Sequence, residues 1–299
     1  MSISKLIHEI NLGSFQAIAK GITLVENQLP GHQELLRTIS QNRRTKIIGF
    51  TGPPGAGKSS LINALLAQLA HSNKIAVLSI DPSSPFNLGA LLGDRIRMND
   101  FYLNPHVFIR SMASRGSLGG LCPSVIEVTE LLKAAPFDYI FLETVGVGQS
   151  EIEISGLADT TVVVMVPEAG DEIQTMKAGV MEIADIFVVN KSDRSMADEF
   201  IKNLKILVHA NHQEWEIPVL KSVATSGEGI QEIIRLIDLH ANYTSNNTLK
   251  RSQLLCDKVF QLIQKKRMEK VNKEDLQRQL QHEMDSSNFN LFRFAEAWY

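Results

Sequence analysis

Residues 52 to 60 read GPPGAGKSS and lie between the apolar run TKIIGFT (45–51) and the helix-like LINALLAQLA (61–70). Gly52, Gly57, Lys58 and Ser59 occupy the fixed positions of the pattern G-x-x-x-x-G-K-S/T. Glycines let successive backbone N–H groups turn toward one anion. A lysine at this position neutralises β and γ phosphate oxygens, and the following serine hydroxyl can ligate magnesium. From ordinary residue usage a chance match in a chain this long is on the order of one in a hundred. The flanking strand and helix patterns are the context this chemistry needs, which sets aside a glycine turn with an incidental lysine.

The base is indicated by NKSD (190–193), which follows the apolar run ADIFVV. Guanine presents N1–H and an exocyclic amino group, two donors that one carboxylate accepts together, and adenine lacks both. Asp193 therefore discriminates by hydrogen bonds that adenine would leave unmade. Asn190 would hold the loop and reach the base, while the stem of Lys191 would lie over the ring. Further on, KSVATSGEGI (221–230) supplies a small-residue loop whose backbone N–H groups, at Ser222, Val223 and Ala224, would meet the guanine carbonyl oxygen.

Two more segments carry acids at strand ends. FDYIFLETVGVGQSE (137–151) places Glu143 three positions before Gly146. An acid here bonds the magnesium shell and the glycine N–H senses the γ-phosphate, so loss of that contact on hydrolysis would release the loop and make a switch. DPSSPFNLGALLGDRIRMND (81–100) adds Asp81 and Asp94, either of which could support magnesium or orient water, or serve as a turn or helix cap. Gln149 is a candidate for positioning water and equally a helix-surface residue. No arginine or glutamine is marked as the catalytic group, so intrinsic hydrolysis is expected to be slow.

Positioning these residues requires a sheet. TKIIGFT, KIAVLSID (74–81), HVFIRSM (106–112), FDYIFLE (137–143), TTVVVMVP (160–167), ADIFVVN (184–190) and IPVLKS (217–222) are short apolar runs alternating with helical patterns. Such runs imply a parallel sheet covered on both faces, with its functional groups at the carboxyl ends of the strands. Residues 3–43 suggest two helices separated at Pro30-Gly31, and 248–283 an extended helix with Leu255, Val259 and Leu262 on one face. Its lysines and arginines suit a solvated face first and a partner contact second.

Composition narrows the class further. Of the 299 residues 44% are apolar and 21% charged, which is globular composition. A formal net charge of -3 offers no global attraction for nucleic acid or anionic membrane. No segment approaches the roughly 18 apolar residues of a membrane span, and the first residues lack a secretory apolar stretch, so a cytoplasmic location is expected. Cys122 and Cys256 form no CxxC pair and are expected to be structural thiols.

Taken in order, GPPGAGKSS, VLSIDPSSPFNLGALLGDRIRM, ETVGVGQSE, VPEAGDEIQTMKAG and NKSD resemble the MeaB/ArgK family of P-loop GTPases, related to signal-recognition-particle and nickel-insertion GTPases. FQAIAKGITLVEN is similar to that family's N-terminal helix, so the likeness spans roughly 8 to 240. The resemblance implies an α/β three-layer P-loop NTPase with a mainly parallel sheet, N-terminal helices and a helical C-terminal extension. Its segments would be 1–43, a GTPase domain at 44–243, and 244–299 as a dimerisation arm. It implies a homodimeric GTPase chaperone, using Mg2+ with GTP or GDP, for an adenosylcobalamin-dependent acyl-CoA mutase, the adenosylcobalamin belonging to the mutase.

Carried over residue by residue, the family pattern gives phosphate to Gly52, Pro53, Pro54, Gly55, Ala56, Gly57, Lys58, Ser59 and Ser60, and magnesium to Ser59, Asp81, Asp94 and Glu143. Catalysis then falls to Lys58, Asp94, Glu143 and Gly146, and guanine to Asn190, Lys191 and Asp193. Residues 167–179, with Asp171 and Lys177, resemble a third switch that communicates with the mutase. Where relatives have Thr-Ser-Ala before GEGI this chain has Ser222, Val223 and Ala224, so one side chain is missing while the backbone donors survive. NFNLFRFAEAWY matches no part of the pattern. Two other readings stand beside it: a metal-insertion GTPase, disfavoured because the histidines are not clustered, and a transport-associated kinase or ATPase, disfavoured by NKSD.

Overall fold

The seven apolar runs form one sheet. In a computed structural model that describes residues 1–40, 44–81, 98–113, 122, 124–144, 153–169, 178–209, 215–268, 271–284, 289–296 and 298, the strands are β1 (Lys46–Thr51), β2 (Ile75–Asp81), β3 (Val107–Ala113), β4 (Tyr139–Thr144), β5 (Thr160–Met165), β6 (Ile186–Val189) and β7 (Val219–Lys221). Their order is β3-β2-β4-β1-β5-β6-β7 and every pairing is parallel. This is the α/β parallel architecture expected from the runs. β4, β5 and β6 are buried along their whole length, which is why they carry almost no polar alternation.

Alternation along the strands divides the core between two faces. Val162 and Val164 of β5 join Phe50, Phe141 and the buried side of α4 (Lys58–Leu69), together with Ile233 of α8 (Ile230–Asn246). Val163 and Met165 join Phe187, Val189, Phe200 and Leu204 on the face covered by α7 (Ala197–His209). In α4, Leu61, Ile62, Leu65 and Leu66 are fully buried, each contributing about 1.5–3 kcal/mol of transfer free energy. The helix that starts at the lysine of the glycine loop is thereby clamped to the sheet.

The N-terminal region departs from the expected two helices. It forms three, α1 (Ile3–Asn11), α2 (Phe15–Glu26) and α3 (His32–Thr38). The extra break lies at Gly13-Ser14, where the Ser14 hydroxyl accepts from Ala17 N and starts a new helix. These helices pack against the β3 side of the sheet: Phe15 contacts Phe108 edge-on and Phe137 face-on, and Arg110 of β3 pairs with Glu26 at 2.9 Å. Between the sheet strands, the remaining described α-helices of this unit are α5 (Val125–Leu132) and α6 (Ala178–Ile183).

The chain divides into two units, Met1–Arg251 and Ser252–Tyr299, with the division inside α9 (Thr248–Met268). The expected single helix over 248–283 is two, α9 and α10 (Lys273–Glu283), because the Asn272 side chain accepts from Glu274 N and caps a second start. α11 (Leu291–Glu296) follows. Leu255, Val259, Phe260 and Ile263 of α9 are exposed within the second unit. Among the described residues no helix is long and apolar enough to cross a membrane.

Candidate functional site

The loop after β1 is built on positive-φ glycines. Gly52 has φ +133° and Gly57 φ +86°, a region that side chains adopt only under strain. Space is as restrictive as the dihedrals. A Cβ on Gly52 would stand 2.1 Å from the Val164 carbonyl oxygen of β5, and one on Gly57 would stand 2.4 Å from Asn190 Nδ2. Gly57 then begins α4 without a side-chain cap, leaving the first amides of a twelve-residue helix turned toward the loop.

Lys58 folds back across this loop. The residue is 6% exposed, and its ammonium donates to the carbonyls of Gly52 (2.8 Å) and Pro53 (3.0 Å). A positive charge held inside the curve of a backbone loop is the counter-charge an anion in that curve requires. Pro53, Ala56 and Ser59 are buried around it, while Pro54, Gly55 and Ser60 are exposed on the rim.

Ser59 and Glu143 meet directly. Glu143, 4% exposed near the carboxyl end of β4, accepts from Ser59 Oγ on Oε1 at 2.6 Å and from Ser79 Oγ on Oε2 at 3.3 Å. Next to it Thr144 Oγ1 donates to Thr51 Oγ1 at 3.1 Å, tying the ends of β4 and β1 together. A hydroxyl and a buried carboxylate at hydrogen-bond distance beside a lysine-lined loop form a hard oxygen donor set suited to magnesium with a bound phosphate. Asp81 ends β2, and only its backbone is described; Asp94, Gly146, Gln149, Asp171 and Lys177 lie outside the described residues. Among the described residues no group of three or more His, Cys, Asp or Glu gathers as a metal cluster.

The guanine-reading candidates sit on the other flank of the loop. Asn190 follows β6, is 2% exposed, and joins three segments. Its Nδ2 donates to the Ala56 carbonyl (3.0 Å), and its Oδ1 accepts from Ala224 N (3.1 Å) and Ser222 Oγ (3.3 Å). Lys191, with φ +55°, donates from Nζ to the Gly55 carbonyl at 2.8 Å, which lays its stem across the loop. Asp193 is exposed at the rim. Val223 N donates to the Glu228 carbonyl within a short turn. Ser222 N donates to the Val189 carbonyl, so each of the three backbone amides expected to meet the guanine carbonyl has an acceptor within the protein here, a tie that residue types alone do not reveal.

Sequence spacing also passed over Arg194 and Glu168. Arg194, directly after NKSD, donates to and pairs with Glu168, the second residue of the 167–179 segment. That hydrogen bond holds the Glu168 carboxyl below the usual carboxylate range. Only the acid-base complementarity of the two residues, 26 positions apart, could have suggested the contact.

A family model described as methylmalonyl Co-A mutase-associated GTPase MeaB matches residues 18–279. The chain belongs to the MeaB family. The match extends the likeness beyond residue 240, into α9 and α10. A relative from Pyrococcus horikoshii that bears a GTPase name is 45% identical over 81% of this chain and 78% of its own length. GTPase ArgK of Escherichia coli is 35% identical over 84% and 80%. A Caenorhabditis elegans protein named methylmalonic aciduria type A homolog, mitochondrial, is 35% identical over 78% and 64%.

Among solved structures, an LAO/AO transport system kinase superposes with a TM-score of 0.71 at 25% identity, covering 99% of this chain and 96% of that one. HypB from Helicobacter pylori, in complex with nickel, shares the fold at a TM-score of 0.51 and 14% identity, covering 76% and 97%. This MeaB-family chain is a P-loop GTPase, as its glycine loop and NKSD segment led one to expect.

The contact between Gly57 and Asn190 gives a first test. Gly57→Ala is expected to strain the loop and displace the Asn190 amide, lowering GDP affinity by at least about tenfold. Isothermal titration with GDP measures it. Unchanged affinity would show that the loop can yield without using this contact.

Proposed function

We propose that this chain is a GTP-hydrolysing chaperone that assists cofactor loading and protection of an adenosylcobalamin-dependent acyl-CoA mutase of the methylmalonyl-CoA type. The observation that carries it is the match, over residues 18–279, to a family described by association with that mutase. A site able to report nucleotide state supports it. Lys58 and the amides from Gly52 to Ser60 would bind the phosphates. Ser59 and Glu143 would hold magnesium, with Asp81 and Asp94 as further candidates, and Asn190, Lys191 and Asp193 would read guanine beside the Ser222–Ala224 backbone.

Magnesium, when bound, supplies charge neutralisation at the β and γ oxygens. The chain's own residues do the rest. Lys58 turns its N–H donors from the Gly52 and Pro53 carbonyls to phosphate. Buried Glu143 keeps its carboxyl oxygens next to the Ser59 hydroxyl, and Gly146 would sense the γ-phosphate. The Arg194–Glu168 pair joins the loop after NKSD to the start of the 167–179 segment. That contact suits a chain whose base site and third switch move together. A homodimer formed through 244–299 is part of the same proposal, and the exposed apolar side chains of α9 support it.

The test is direct. A methylmalonyl-CoA mutase is expected to be retained by the chain loaded with a GTP analogue more than by the GDP form, and to raise GTP turnover at least about tenfold, below the roughly 10³-fold of a complete arginine finger. No retention and no rate change would sink the proposal. A transport-associated kinase or ATPase is the second reading, kept by the fold shared with the LAO/AO transport system kinase at a TM-score of 0.71. Preference for ATP over GTP in turnover would favour it.

A further inference from the structure

One buried hydroxyl carries no role in the site described so far. Ser79 lies in β2, is 2% exposed, and is registered with Glu143 across the β2–β4 pair. Registered residues of neighbouring strands project to the same face. Ser79 Oγ accordingly donates to Glu143 Oε2 at 3.3 Å, while Ser59 Oγ donates to Oε1 at 2.6 Å. One carboxylate is held between two hydroxyls, one from the sheet interior and one from the first turn of α4.

The surroundings explain why a hydroxyl in β2 needs that partner. Its strand neighbours Val77, Leu78 and Ile80 are buried, as is Leu142 beside Glu143. A serine in such a place is costly unless hydrogen-bonded. The carboxylate, for its part, has a broad terminal torsion and no intrinsic preference for the plane it occupies. A bond from a strand-borne side chain with a single rotatable bond sets that plane. Ser59 occupies Oε1, the oxygen that would face a cation held by the pair, whereas the Ser79 bond is on the other oxygen.

We propose that Ser79 is a positioning residue for magnesium, acting through Glu143: it holds Oε2 so that Oε1 stays aimed at Ser59 and the cation beside it. This rests on the reading of Ser59 and Glu143 as the metal-holding pair. Neither the glycine loop nor the acids at the strand ends assign Ser79 a role. Its hydroxyl raises metal affinity without touching metal or nucleotide, and its removal weakens the response to magnesium and leaves metal-free GDP binding alone.

The experiment measures release of a fluorescent GDP analogue from the full chain over a magnesium titration, with Mn2+ binding by electron paramagnetic resonance as a second readout. Ser79→Ala is expected to raise the magnesium concentration for half-maximal slowing of release by about tenfold, and to weaken Mn2+ binding in parallel. Release in chelator should be unchanged, and Ser79→Thr, which keeps the hydroxyl, should restore most of the response. If Ser79→Ala leaves the magnesium requirement unchanged while Glu143→Gln raises it, the role of Ser79 is overturned and the metal pair stands. If Glu143→Gln also changes nothing, the metal pair itself is wrong. Equal weakening of GDP binding with and without magnesium would assign Ser79 a merely structural role and overturn the proposal.

Discussion

Lys58→Ala is expected to lower single-turnover GTP hydrolysis by about 10²- to 10³-fold, the loss that follows removal of one preorganised charge-stabilising donor. Lys58 is buried, and its donors rest on the Gly52 and Pro53 carbonyls of the loop itself. Little reorganisation is therefore needed for the ammonium to meet phosphate oxygens, and the field it exerts there is screened less than a surface charge would be. Alanine leaves the phosphates facing inward carbonyl dipoles with no counter-charge. The thermal midpoint of the nucleotide-free chain should move little, since the loop is also held by Asn190 and Lys191. The shift produced by saturating GDP, worth about 2.7 kcal/mol at 100 times Kd, should largely vanish. Thermal denaturation with and without GDP checks this, and a full GDP-induced shift in the variant would contradict the role of Lys58.

Asp193→Asn should exchange base selectivity rather than abolish binding. A carboxylate accepts both the N1–H and the 2-amino group of guanine. Asparagine replaces one acceptor by an N–H donor, which opposes the amino group and suits the C2 carbonyl of xanthine. GDP affinity is expected to fall at least about 100-fold while xanthosine diphosphate gains, because polar mismatches at a base-reading site are more costly than lost contacts. Asp193 is exposed and Asn190 carries the structural bonds of the same segment, so folding should be unaffected. Competition between the two nucleotides is the measurement. Equal ratios in the variant and the parent would mean that Asp193 does not read the base.

The relation between these two residues explains what could be read in advance. Lys58 and Asp193 belong to local patterns of four to nine residues at strand ends, and local patterns survive in one dimension. The seven strands were equally legible, because a parallel sheet buried on both faces demands nearly continuous apolar runs. The helix breaks at Gly13-Ser14 and Asn272 were harder: a single side-chain cap outweighs an apolar periodicity that continues across it.

By itself the sequence determined the parallel α/β class, the glycine loop, the guanine motif and the family they belong to, because each depends on residue type at short separation. Tertiary structure alone decided which groups those motifs touch. The order of strands brings Val164 against Gly52, Asn190 against Ala56 and Ala224, Arg194 against Glu168, and Ser79 against Glu143. These partners are up to 134 residues apart. Their meeting depends on strand order and register, which arise from packing between whole elements and leave no periodicity in the chain.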